Sequence, residues 1–179
     1  IVFGDWSSDV CSSDLARMTG FLDYTRFEDI RGVAINATNY SVLERMAHWQ
    51  AALEMWRENF WLGVGFGCYE PAYPVYRLIN WPIALGHAHN YYLNLLAETG
   101  IVGLGAYLTF FGVLFLRLWQ ASRRLSDWQR GLSLGLIGAF AHFNVHNLVD
   151  NILVNNTHLY FGVLLALSAW LIANVRDNQ

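Results

Sequence analysis

The pair His87 and His89, followed by Asn90 and then, after nine residues, by Gly100-Ile101-Val102-Gly103, is the arrangement in this chain best placed to do chemistry. Imidazole is the side chain that gains and loses a proton near neutral pH. The run from Tyr91 to Trp119 behind His89 is too apolar for a water-facing helix, which puts a titratable group at a membrane surface. A second constellation, His142, His146 and Asp150, falls at i, i+4 and i+8 and is expected to share one face of a later span, with Asn147 close by. Ionisable groups within a span are costly unless they face a bundle interior or a water-filled cavity. That stripe therefore reads as the polar floor of a cavity beneath His89 or as a hydrogen-bond network between helices, with Asp150 able to orient an imidazole. A His-x3-His pair can also ligate a metal, but no third ligand accompanies it, and no metal site is expected.

The elements that must carry these groups follow from composition. Residues 1–15 include Asp5-Trp6-Ser7-Ser8-Asp9-Val10-Cys11-Ser12-Ser13-Asp14-Leu15, which reads as an in-frame translation of a sequencing-library adapter and is set aside from fold reasoning. It carries three of the 14 acidic residues and none of the 11 basic ones, so the rest of the chain is neutral. Cys68 alone then remains, which excludes an internal disulfide. The same reading implies that the natural N-terminus is missing and that the chain is a C-terminal piece of a longer protein.

With 55% hydrophobic, 16% aromatic and 14% charged residues, the composition is that of a membrane protein with a polar extramembrane part. The expected fold is all-α: a polytopic membrane fragment with about three transmembrane helices, near 101–119, 131–150 and 158–175, each long enough for a hydrocarbon core of about 30 Å. The membrane region is placed at 91–179. Arg117, Arg123, Arg124 and Arg130 between the first two spans, and Arg176 after the third, assign those ends to the cytoplasm. Residues 16–90, a helical and loop-rich region, and the link 151–157 then face the opposite, periplasmic side together with His89.

Within that outer region Ser41 and Glu44 suggest a capping box. Val42, Met46, Trp49, Leu53 and Trp56 recur at helical spacing behind it, leaving Arg45, His48 and Glu54 outside the stripe. Gly63-Val64-Gly65-Phe66-Gly67 lacks the strand-turn-helix setting of a nucleotide loop and reads as a glycine turn. Residues 69–81, rich in Tyr, Pro and Trp, suggest an irregular interfacial loop. Glu98 is expected to cap or to reach the interface.

Glu44-Arg45 with Trp49, then Trp61-Leu62-Gly63-Val64-Gly65-Phe66-Gly67, then His87-Ala88-His89-Asn90-Tyr91-Tyr92-Leu93 with Ala97-Glu98-Thr99-Gly100 and Gly103, resemble the O-antigen ligase family over residues 41–107. The related O-antigen polymerases and protein O-oligosaccharyltransferases share the pattern. The resemblance implies a polytopic inner-membrane glycosyltransferase without cofactor or nucleotide sugar. Its donor would be a glycan on undecaprenyl diphosphate and its acceptor a lipid A-core or other hydroxyl, with the bilayer as its third partner and no role for nucleic acid. His89 is then the general base toward a sugar hydroxyl, a poor nucleophile on its own. Arg45 matches the family's loop arginine for the diphosphate, which a planar guanidinium grips bidentately, and Arg31 and Arg77 are further candidates. His87 and Asn90 complete the pocket wall. An arginine of an earlier outer loop and the earlier spans of the family are absent. Two other readings stand beside the ligase: a polymerase or protein-glycan transferase using another acceptor, and a non-enzymatic transporter or scaffold whose His142, His146 and Asp150 stripe moves protons.

Overall fold

The computed structural model describes residues 30–37, 39–125, 127–152 and 157–177, which contain five helices and no strand. These are α1 (Tyr40–Glu58), α2 (Tyr69–Tyr76), α3 (Tyr91–Ser122), α4 (Asp127–His146) and α5 (Thr157–Asp177). The adapter-like segment lies outside the described residues.

Helix α1 begins one residue before the expected capping box, so Ser41 falls inside the first turn and caps nothing. Its entry is held instead by two asparagines: the Asn36 amide donates to Asn39 Oδ1 at 2.8 Å, and the Asn39 amide to Asn36 Oδ1 at 3.0 Å. Glu44 accepts from Tyr40 Oη at 3.3 Å. The buried surface of α1 is also wider than one stripe. Beside Val42, Met46 and Trp49 it takes in Leu43, Ala47, Ala51, Ala52 and Met55, and His48, expected outside, is 1% exposed. The second face exists because α1 is covered from two directions, by α2 and by the first turns of α3. The stretch 69–81 is correspondingly not all loop. Its first eight residues form α2, with Tyr69 and Tyr73 wholly buried.

Helix α3 is two helices in series, 91–99 and 101–122, broken at Gly100 where φ is +64° and ψ is −166°, a conformation open essentially to glycine alone. The break frees backbone groups that the glycine turn after α1 then satisfies. Val64 and Gly65 amides donate to the Ala97 and Glu98 carbonyls at 2.9 and 3.0 Å. Ile101 and Val102 amides donate to the Phe60 and Trp61 carbonyls at 3.0 and 3.3 Å. The two strands of chain approach so closely that a Cβ on Gly100 would overlap the Trp61 backbone, and one on Gly63 the Ala97 carbonyl. The glycines of both motifs are therefore one interlocking joint.

Beyond the joint, residues 101–122 rise about 33 Å, enough to cross a bilayer. Among the described residues two helices are long and apolar enough to do so, Tyr91–Ser122 and Thr157–Val175. Only 17% and 11% of their apolar windows are buried within the chain, so their outward faces suit lipid or further helices rather than water. The expected middle span differs. Helix α4 is less apolar and ends at His146, four residues short of Asp150, because the chain after it turns to serve α3: Tyr91 N–H donates to the Asn147 carbonyl at 3.0 Å, and Asn90 Nδ2 to the Leu148 carbonyl at 2.7 Å. Helix α4 runs antiparallel to α3, with Ser133 bonded to the Leu118 carbonyl, Phe140 against Phe111, and Asn144 receiving the hydroxyls of Tyr92 and Tyr107.

A Gly100→Ala substitution is expected to lower stability by on the order of 1–3 kcal/mol through backbone strain alone, before the steric overlap is counted. Thermal melting of the complete chain in detergent measures this. An unchanged midpoint would mean that the joint is not rigid.

Candidate functional site

The segment 77–90 returns from α2 to α3 and is pinned at its end by side chains that the α3 start supplies. Asn90 caps α3, its Oδ1 accepting the Leu93 amide at 3.0 Å while its Nδ2 reaches the end of α4, so Asn90 anchors the histidine loop. Asn94, buried, accepts the Ala88 amide through Oδ1 at 3.1 Å. Between these anchors His89 is held at φ +50°, a left-handed conformation that costs a non-glycine residue free energy and collects at functional sites.

His89 sits at the centre of three partners. His87 packs edge-on against it with ring centroids 4.5 Å apart and accepts the His89 amide at Nδ1, 3.1 Å away. His48, from α1, meets it edge-on at 5.7 Å. Asp150 places Oδ1 3.7 Å from His89 Nδ1, too long for a hydrogen bond but close enough to stabilise a charge that forms on the ring. His89 Nε2 is buried without a hydrogen-bond partner.

The sequence reading missed His48. Its ring stacks on Tyr73 at 4.6 Å and 17°, and its Nδ1 lies 2.9 Å from Tyr69 Oη. Tyr69 Oη in turn donates to the His48 carbonyl at 3.2 Å, which leaves the phenol oxygen to accept from His48 Nδ1–H. Burial, reinforced by His89 and His87, pushes His48 down to about 4, so at neutral pH it is an uncharged ring. His87 is lowered as well, by burial first and then by His89, with Asp150 opposing. Burial raises both phenols, Tyr73 to about 12. The signal for His48 was present in its spacing to Ala52 and Met55, a second periodic face whose small residues permit close helix contact.

Glu98 was assigned no chemistry, and its place is structural. It is 8% exposed and accepts the Tyr69 amide at 3.0 Å, where its charge favours the N-terminal end of α2. Through it the joint at Gly100 is tied to the tyrosine that holds His48.

The remaining sequence candidates fall elsewhere. Arg45 is half-buried on α1, three residues before the buried His48. Arg31 and Arg77 come together, lining a cleft of about 400 Å³ with Asn80 and Trp81, which adjoins another of about 490 Å³ lined by Gln50, Glu54, Arg57 and Tyr76. Neither cleft is lined by a histidine. His142 and His146 lie exposed on α4 with rings 5.8 Å apart. The expected three-residue stripe is broken, since Asp150 lies beyond the helix end and turns to His89 instead.

A family model described as O-antigen ligase matches residues 15–108. No curated protein matches the chain. The matched region contains α1, α2, the histidine loop and the joint, while Asp150 lies outside it.

Tyr69→Phe keeps the ring but removes both hydroxyl bonds, leaving His48 Nδ1 buried and unpaired. The expected loss is about 1–3 kcal/mol, read by chemical denaturation of the complete chain. Wild-type stability in that variant would contradict the arrangement given for His48.

Proposed function

This chain belongs to the O-antigen ligase family, whose members are membrane glycosyltransferases, and we propose from that premise that it moves a preassembled glycan from undecaprenyl diphosphate to a hydroxyl of lipid A-core. The observation that carries the reading is His89 itself: an imidazole in a constrained backbone, with one ring nitrogen free of protein partners and a carboxylate beside the other.

In this mechanism the acceptor hydroxyl attacks the anomeric carbon of the donor while a ring nitrogen of neutral His89 takes its proton. The new C–O bond forms as the bond from the anomeric carbon to the diphosphate oxygen breaks, and the lipid diphosphate leaves with the electron pair. Asp150, close to the other ring nitrogen, stabilises the imidazolium that results. His48 and His87, held toward the neutral form, add no competing positive charge at neutral pH. Arg45 is assigned to the departing diphosphate, for which a guanidinium is suited by shape and permanent charge. Arg31 and Arg77, in a separate cleft, are the weaker candidates for that contact.

The polarity of the chain supports a site on the periplasmic face of a bacterial inner membrane. His89 lies at one end of α3 and Arg117, Arg123 and Arg124 at the other, the distribution expected when the basic end stays in the cytoplasm. A polymerase or protein transferase would use the same donor side and differ in acceptor. A proton-transport reading is less favoured, since Asp150 lies past the end of α4, 3.7 Å from His89, rather than on the helix with His142 and His146.

The test expresses the gene in a ligase-deficient strain that carries the native glycan locus. Wild type is expected to restore glycan-capped lipopolysaccharide. His89→Ala, at equal membrane abundance, should lower transfer by about 10²–10⁴-fold, the usual contribution of a general base. Undiminished capping by that variant would refute the base assignment. Failure of the wild type with its own donor would move the reading to a polymerase or protein transferase.

A further inference from the structure

Three side chains of metal-ligating type converge where the sequence suggested none. His87, His89 and Asp150 each offer one ligand atom, and these atoms all lie within 4.8 Å of one another. All three residues are half-buried, with the Asp150 side chain the most open to solvent. Tetrahedral coordination with bonds of about 2.0–2.2 Å needs ligand atoms roughly 3.5 Å apart. The His89 Nδ1 to Asp150 Oδ1 pair, at 3.7 Å, is close to that already, and a His87 ring nitrogen lies within 4.8 Å of the other two ligand atoms.

The group also lacks the internal bonding that would hold it shut. His89 Nε2 has no partner, and its Nδ1 has only the long contact with Asp150. Coordination through His87 Nδ1 displaces one hydrogen bond, that from the His89 amide, and coordination through Nε2 displaces none. Two imidazoles and one carboxylate form a borderline donor set of the kind that suits Zn²⁺, with the fourth position open to water. Magnesium and calcium, which require all-oxygen shells, do not fit it.

We propose that His87, His89 and Asp150 form an inhibitory zinc site, in which Zn²⁺ occupies the lone pair that His89 needs to accept a proton. Binding is a property of these residues alone, whereas the inhibition rests on the reading of His89 as the general base. Zinc would therefore arrest transfer reversibly, and chelation would restore it.

The test titrates Co²⁺, a spectroscopic substitute for zinc, into the purified complete chain in detergent. One equivalent should produce the intense visible bands of four-coordinate cobalt, and added Zn²⁺ should abolish them. His87→Ala and Asp150→Asn should each weaken cobalt binding at least about tenfold, while a His142→Ala/His146→Ala double variant should bind as wild type does. Absence of the bands at micromolar to submillimolar cobalt, or their loss in the double variant instead, overturns the proposal. Because the two single variants act on opposite sides of the site, misfolding of one leaves the other to decide. The companion assay measures transfer with and without zinc in each protein, relative to its own zinc-free rate. Zinc bound at the site with transfer undiminished would leave the metal site standing and defeat both the inhibition and the role of His89 as base.

Discussion

The exchange of backbone hydrogen bonds at Gly100 is the constraint on which the site depends. A membrane helix that continued unbroken from Tyr91 would satisfy its own amides and carbonyls and offer nothing to the turn after α1. By opening at one glycine, α3 gives the Phe60–Gly65 turn four backbone partners, and the close approach excludes any side chain on Gly63 or Gly100. The turn positions the end of α1 against α3, and α1 brings His48. The same carbonyl region includes Glu98, whose carboxylate starts α2 and thus places Tyr69 and Tyr73 around His48. An outer helical layer is in this way fixed to the head of a membrane helix.

The second constraint acts from the other side. The turn after α4 gives the Asn147 and Leu148 carbonyls to Tyr91 and Asn90 at the start of α3, and it brings Asp150 to His89. The histidine loop is thus clamped between an outer layer and a membrane layer, which accounts for a left-handed backbone at His89 that a free loop would relax. In the proposed mechanism the Asp150 carboxylate favours proton acceptance at that position, and burial keeps His48 and His87 from adding positive charge there.

Much of this was legible in the residues. The apolar run after Gly100, the helix after Asn39 and the His-Asn element before a span each follow from periodicity, composition and spacing, which are local properties. What was not legible depends on contacts between distant segments. His48 looked like a surface residue because the second face of α1 is built from alanines, whose burial is decided by α2 and α3. Residues 69–76 looked like a loop because Pro71, Pro74 and three tyrosines dominate them, yet a carboxylate 29 positions away starts the helix. Asp150 was extrapolated along α4, since no residue between His146 and Asp150 signals that the carbonyls there belong to α3.

The central claim is that His89 transfers a proton rather than merely shaping the loop, and chemical rescue separates these roles most directly. Transfer by purified His89→Ala in proteoliposomes should be restored in part by added imidazole, in proportion to its neutral form, while a His48→Ala variant should gain nothing from it. Imidazole that leaves the His89→Ala protein inactive, although it folds and binds donor as wild type does, would contradict the account and make His89 a structural residue.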